Sequence, residues 1–197
     1  MKIGLFFGSF NPIHQGHLDI ANYMAEFTDL HEIWFIVSPH NPLKEKDTLI
    51  SDFHRLEMVR RAVAENNRIK KTPIELQNAD IEFGLAKPSY TINTLNYIKN
   101  KFPDNEFILI IGSDNLSQFD KWKCYEQILE NYELYVYPRT KSDGGELGKH
   151  RNVKLIDAPL IKISSDEIRK LLGEGKDVGN ILPPSVFRYI KEMCLYC

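Results

Sequence analysis

Short apolar runs rich in β-formers alternate with stretches of helical period along nearly the whole sequence, and this alternation limits the folds open to the chain. Residues 2–7 (Lys-Ile-Gly-Leu-Phe-Phe) and 32–37 (Glu-Ile-Trp-Phe-Ile-Val) read as strands. Between them, over 15–28, Leu18, Ala21, Met24 and Ala25 recur at helical spacing, which makes a β-α-β unit. The pattern continues with a helix near 52–66, a weak strand near 73–76 and a helix near 90–101. Strands follow at 106–111, 133–137 and 153–156, and helices near 165–172 and 184–195. Such alternation predicts an α/β fold, a doubly wound parallel sheet with helices on both faces, whose ligands sit beyond the carboxyl ends of the strands. The polar stretch 140–151, with Asp143-Gly144-Gly145, reads as a surface loop. Residues 38–49, with Pro39, Asn41, Pro42 and Lys44, read as a loop at the carboxyl end of the second strand, where a substrate loop belongs.

At 197 residues, 43% of them hydrophobic, the chain fits a single domain spanning 1–197 with a sizeable core and no need for metal or disulfide staples. The formal net charge of −2 and a pI near 6.3 supply no global basic field, so a nucleic-acid partner is not expected and any anion site is local. No apolar run approaches the roughly 20 residues that cross a bilayer, and Gly8, Ser9, Asn11 and Pro12 interrupt the first apolar run too soon for a signal peptide. The expectation is a soluble cytoplasmic protein without a membrane partner. Cys124, Cys194 and Cys197 form an odd set, against a secreted disulfide framework, and Cys194-x-x-Cys197 lacks a second ligand pair for zinc.

The segment Gly8-Ser9-Phe10-Asn11-Pro12-Ile13-His14-Gln15-Gly16-His17 follows the first strand, turns on glycine and proline, and opens the first helix with two histidines. A strand, a tight turn and a helix N-terminus together make an anion-binding arrangement: unpaired backbone N–H groups and the positive dipole end face the ligand, with Gly16 allowing close approach between His14 and His17. A phosphate would raise a histidine's basicity and the helix dipole would lower it, and the sequence does not say which prevails. The alternative is a pair of histidines that cap and pack in a turn.

His14-x-Gly16-His17 on the first β-α turn resembles the signature of the nucleotidyltransferase superfamily shared with class I aminoacyl-tRNA synthetases, and Gly8-Ser-Phe-Asn-Pro-Ile-His narrows the resemblance to adenylyltransferases. The longer match is similar to bacterial nicotinate-nucleotide adenylyltransferases. It runs through Ser89-Tyr90-Thr91, Thr94-Leu95, Ile111-Gly112-Ser113-Asp114-Asn115, Trp122-Lys123, and Ile163-Ser164-Ser165 leading to Ile168-Arg169. The resemblance implies a Rossmann-like sheet and adenylyl transfer from ATP to nicotinate mononucleotide, by direct in-line attack of a 5′-phosphate on the α-phosphorus. In such a reaction the protein aligns two anions and stabilises developing charge.

By the same resemblance His14, His17, Lys44 and Arg169 are the catalytic set. ATP falls to Gly8, Ser9, Phe10, His14, His17, Gly112, Asp114, Ser164, Ser165 and Arg169, and the mononucleotide to Lys44, Thr91, Asp114, Trp122 and Lys123. Mg²⁺ would arrive on the triphosphate, held by phosphate oxygens and water, with no protein metal site. Each assignment has a plainer counterpart: Lys44 solvated, Trp122 in the core, Asp114 a helix N-cap, and Ser164 or Ser165 a cap with Arg169 on the solvent face. Capping by Ser164 or Ser165 is compatible with phosphate binding.

Three positions depart from the family pattern. Phe7 stands where a second glycine is usual, Leu43 replaces a loop histidine, and Asp166 replaces a Thr or Ser, an unwelcome charge unless it lies in the first helical turn facing solvent. Sibling transferases acting on nicotinamide mononucleotide or phosphopantetheine, and a non-catalytic nucleotide sensor, are the competing readings. Phosphopantetheine enzymes are typically shorter and lack the Ser-Tyr-Thr and Trp-Lys segments, and a tRNA synthetase needs an anticodon-binding domain for which the chain has no room. Association into a homo-oligomer stays open.

Overall fold

The computed structural model describes residues 1–38, 49–66, 74–75, 90–139 and 145–196. Strand β1 (Lys2–Gly8) leads into helix α1 (Gln15–Phe27), β2 (Glu32–Val37), α2 (Asp52–Glu65) and β3 (Ile74–Glu75). Then come α3 (Thr91–Lys101), β4 (Glu106–Gly112), the short α4 (Ser113–Leu116), α5 (Tyr125–Asn131) and β5 (Glu133–Tyr137). The strand β6 (Val153–Leu155), α6 (Ser165–Gly173) and α7 (Pro184–Glu192) complete the order.

The strands pair in parallel in the order β3-β2-β1-β4-β5-β6, six strands with the order reversing between β1 and β4. This is the doubly wound Rossmann-like order, and it opens a crevice where the chain winds away to either side of β1. Each central strand is apolar almost end to end, because helices cover both faces. One core packs Leu18 and Met24 of α1, Met58 and Val59 of α2, Ile168 of α6 and Val186 and Ile190 of α7 against Phe6, Phe35 and Ile110. The other packs Ile92, Leu95 and Ile98 of α3 with Leu116, Ile128 and Leu129 against Ile3, Leu5, Leu109 and Ile111.

Local chemistry sets the helix ends. Ser51 caps α2 by accepting from the His54 N–H, Ser164 caps α6 through the Glu167 N–H at 3.2 Å, and Pro184 stands at the start of α7, where a missing N–H costs nothing. The last helix, expected to reach residue 195, stops at Glu192 because Cys194 and Tyr196 turn into the left-handed region, with φ of 49° and 64°. Helices α4 and α5 lie where the sequence pattern announced none, being only 4 and 7 residues long. Among the described residues no helix is long and apolar enough to cross a membrane.

Candidate active site

Strands β1 and β4 lie side by side, with Phe6 opposite Ile110, and end at Gly8 and Gly112. The Gly8–His17 turn and the Gly112–Asp114 segment, both singled out from the sequence, therefore start side by side where the sheet winding reverses. Beyond Gly8 the chain turns through Phe10 at φ 43° and a cis Asn11–Pro12 bond to reach His14, the residue preceding α1. A left-handed phenylalanine costs of order 1–3 kcal/mol and persists only where packing over-determines it. Here the Phe10 ring is buried and meets Phe6, Phe35 and His17 edge-on, at centroid distances of 5.8, 5.2 and 5.1 Å. With its ring in the core, Phe10 can offer a nucleotide only its backbone.

His14 and His17 stack at 3.7 Å with ring planes 29° apart. His17 Nδ1 accepts the His14 backbone N–H at 3.2 Å, so the neutral His17 ring carries its proton on Nε2 as a donor. His14 is 1% exposed, and neither of its ring nitrogens has a hydrogen-bond partner among the described residues. Burial, and secondarily the charge of Arg139, press its basicity down to about 3. Without nucleotide, then, His14 is a neutral donor and acceptor rather than a cation. The helix amides contribute less than the sequence suggested: the Gln15 N–H is taken by the Ile181 carbonyl at 3.0 Å and the His17 N–H by the His14 carbonyl at 3.0 Å. The reason for Gly16 also differs from close phosphate approach. A Cβ there would overlap Ile161 Cγ2 and crowd His14 Nδ1 at 3.1 Å.

Because the native His14 stays neutral while an unfolded chain would protonate it below about pH 6.5, its burial costs stability as pH falls. This cost is absent above the unfolded value and grows down toward the native value of about 3. His14→Asn should accordingly flatten the acid limb between those values. A thermal-denaturation series against pH checks this, and an unchanged slope would contradict it.

The second half of the site comes from α6. Ser164 accepts the cap bond, so the expected N-cap role is present. The Ser165 hydroxyl donates to the Pro12 carbonyl at 3.0 Å, which binds α6 to the turn before His14. Arg169 does not lie on the solvent face. Its Nη1 donates to the Asn11 carbonyl at 2.8 Å and its Nη2 to Asp166 at 2.6 Å. Asp166 is 88% exposed in the first turn of α6, where its charge meets Arg169 and the helix N-terminus.

On the β4 side, Gly112 rather than Asp114 is the cap residue of α4. Asp114 instead keeps Oδ1 buried without a hydrogen-bond partner among the described residues, with Arg139 Nε 3.9 Å from Oδ2. A Cβ at Gly112 would overlap Asp114 Oδ1 and meet Arg139 Cγ at 2.6 Å, so this position has room for glycine alone. Trp122 is half-buried, 5.0 Å from the Phe119 ring, and Lys123 lays its ammonium 4.4 Å from the Tyr90 ring centroid. Tyr90 is the N-cap residue of α3, which begins at Thr91. Phe7, where a second glycine was usual, packs its ring on the same face as Tyr90 and Trp122. Lys44 and Leu43 lie outside the described residues.

Three residues here escaped the sequence reading, Arg55, Arg139 and Tyr196, and Asn11 was read only as part of the turn. Arg55 is fully buried; its Nη1 donates to the carbonyls of Ser9 at 2.6 Å and Ser38 at 2.7 Å, joining the ends of β1 and β2, and its Nη2 pairs with Asp52. A signal existed for it. Arg55, Met58, Val59 and Ala62 form the buried stripe of α2, so an arginine stands in an otherwise apolar period. Arg139, just past β5, donates its backbone N–H to Ser113 Oγ at 3.0 Å, and no spacing rule marks it.

Three comparisons with known proteins bear on the family of this chain. Residues 5–171 match the cytidylyltransferase-like family. The chain is 52% identical over 196 residues to a protein of Cytophaga hutchinsonii named "Probable nicotinate-nucleotide adenylyltransferase", covering 100% of this chain and 98% of that one. It is 50% identical over 198 residues to a protein of the same name from Flavobacterium johnsoniae, covering 100% and 99%. Among solved structures, the nicotinic acid mononucleotide adenylyltransferase of Plasmodium falciparum complexed with NaAD superposes with a TM-score of 0.84 at 25% identity, over 99% of this chain and 97% of that one. The chain therefore belongs to the cytidylyltransferase-like family and, within it, to the nicotinate-nucleotide adenylyltransferases.

Proposed function

We propose that this chain, as one domain, transfers the adenylyl group of ATP to nicotinate mononucleotide, giving the dinucleotide and pyrophosphate. The observation that carries the reading is the stacked His14–His17 pair at the end of β1, with Arg169 of α6 bonded to the same turn. Neutral and cationic donors thus converge where a triphosphate would lie across the sheet's switch point.

A 5′-phosphate oxygen attacks the α-phosphorus, the new P–O bond forms as the bond to the β-phosphate bridge breaks, and pyrophosphate leaves without a covalent enzyme intermediate. His17 Nε2 donates to the phosphate that gains charge at that moment, and His14 offers a second, neutral contact. Arg169 spends two N–H donors on Asn11 and Asp166 and holds the β- and γ-phosphates with others, beside Ser164. Ser165 holds Pro12 and so acts on the phosphates through the turn. The backbone of Gly8, Ser9, Phe10 and Gly112 faces the nucleotide, and Asp114 Oδ1 accepts from a ribose hydroxyl. Lys44 neutralises the attacking phosphate.

Among the described residues no group of three or more His, Cys, Asp or Glu stands together to hold an ion. Mg²⁺ borne by the triphosphate would supply charge neutralisation at the phosphates. On the acceptor side Trp122 stacks on the pyridine ring, and the Thr91–Lys123 corner meets the carboxylate that separates the acid from the amide. The reaction consumes soluble substrates, which fits a cytoplasmic enzyme.

Pyrophosphate release with ATP and Mg²⁺, compared between nicotinate and nicotinamide mononucleotides, tests the acceptor. A preference for the acid of at least tenfold in kcat/KM is expected, and equal rates would contradict the carboxylate contact. Trp122→Ala should raise KM for nicotinate mononucleotide by about one order of magnitude, given roughly 1–3 kcal/mol for a stacked ring, and leave KM for ATP within twofold. Unchanged acceptor KM would place Trp122 in the core only.

A further inference from the structure

The turn before His14 is gripped from several sides, and one of the grips comes from the segment after α7. Beyond Glu192 the chain takes two left-handed non-glycine residues, Cys194 at φ 49° and Tyr196 at φ 64°. Such conformations are sparsely populated and mark places where the surroundings impose a geometry. The first buries Leu195 in the core of the α1 face. The second sends the Tyr196 hydroxyl to Asn11 Oδ1 at 2.8 Å. Asn11 is itself 1% exposed, and its carbonyl receives Arg169 at 2.8 Å. The tail also lies along α6, where a Cβ added at Gly173 would sit 3.9 Å from the Tyr196 carbonyl oxygen.

We propose that Tyr196 is a positioning residue for adenylyl transfer, setting the Asn11–His14 turn through its hydrogen bond to Asn11 so that the His14–His17 pair and Arg169 meet the triphosphate together. The argument rests on reading that turn as the phosphate-binding one. Arg55 fixes the Ser9 carbonyl, Ser165 the Pro12 carbonyl and Arg169 the Asn11 carbonyl, which leaves the Asn11 side chain as the part of the turn that Tyr196 holds. Burial also keeps the phenol neutral, its basicity raised against the opposing pull of Arg169 and Arg55, so the donor stays available at every working pH. A buried acceptor stripped of its donor relaxes toward other partners, and displacements of about 1 Å at a reacting centre can cost up to two orders of magnitude in rate.

Tyr196→Phe removes one hydroxyl and keeps the ring. Three readouts are taken on wild type and variant: kcat for the transfer, the Kd of a non-hydrolysable ATP analogue, and the melting temperature. The expected result is about a tenfold fall in kcat and a several-fold rise in Kd, with melting shifted by no more than a few degrees. In an Asn11→Ala background the same substitution should bring no further loss of kcat. Unchanged kcat and Kd, a chain that no longer folds, or losses that multiply in the double variant would each overturn the proposal. A wild type that transfers nothing would contradict the proposed function instead, and the Kd comparison would still decide the role of Tyr196.

Discussion

His17→Ala is expected to lower kcat by about two to three orders of magnitude, the loss typical when one preorganised donor to developing charge is removed. The ring sits at the third position of α1, half-buried, with Nδ1 accepting from the His14 backbone N–H, so the neutral ring carries its proton on Nε2. Its loss removes one capping bond and one stacked contact, worth about 1–2 kcal/mol together. That corresponds to about 2–8 °C in melting for a chain of this size. Steady-state rates beside a thermal melt separate the two effects. An alanine variant with wild-type turnover would remove His17 from the chemistry, and a variant that does not fold would make it structural.

Arg55→Leu is expected to act on stability. Its guanidinium, wholly buried, joins the Ser9 and Ser38 carbonyls and pairs with Asp52. Leucine fills most of the space but removes the guanidinium from two carbonyls and the half-exposed Asp52 carboxylate, and losing these charge-assisted bonds together costs about 3–5 kcal/mol. The melting temperature should fall by about 6–20 °C. A shift under 2 °C would mean that solvent replaces the arginine at no cost. Arg55→Lys should recover only part of the loss, since an ammonium cannot reproduce a planar fork that spans two carbonyls.

The sheet and its order of elements were legible because apolar period survives in each strand and helix: Ile33 through Val37 is a buried run, and Leu18, Ala21, Met24 and Ala25 line the inner side of α1. The histidine turn was legible too, since strand, glycine, proline and helix start follow one another within Gly8–His17. What the sequence could not show were contacts between distant segments. Asn11 meets Tyr196 across 185 positions and Arg169 across 158, and neither pairing leaves a periodic trace. Gly16 was read as room for a ligand, yet Ile161 already crowds the space its side chain would fill. The expected helix through 195 failed at Cys194 for a similar reason, because burying Leu195 and reaching Asn11 outweighs continued helical hydrogen bonding. Ser165 shows the limit of motif reading: its hydroxyl was assigned to phosphate and is spent on the Pro12 carbonyl.

The account turns on one chemical event, direct transfer of the adenylyl group between two bound anions. Incubating the enzyme with Mg²⁺ and ATP labelled at the α-phosphate, with and without nicotinate mononucleotide, follows that group. The account predicts label in the dinucleotide only when the mononucleotide is present, matched by pyrophosphate, and none on the protein at any time. Label on the protein, or pyrophosphate released without dinucleotide, would contradict it.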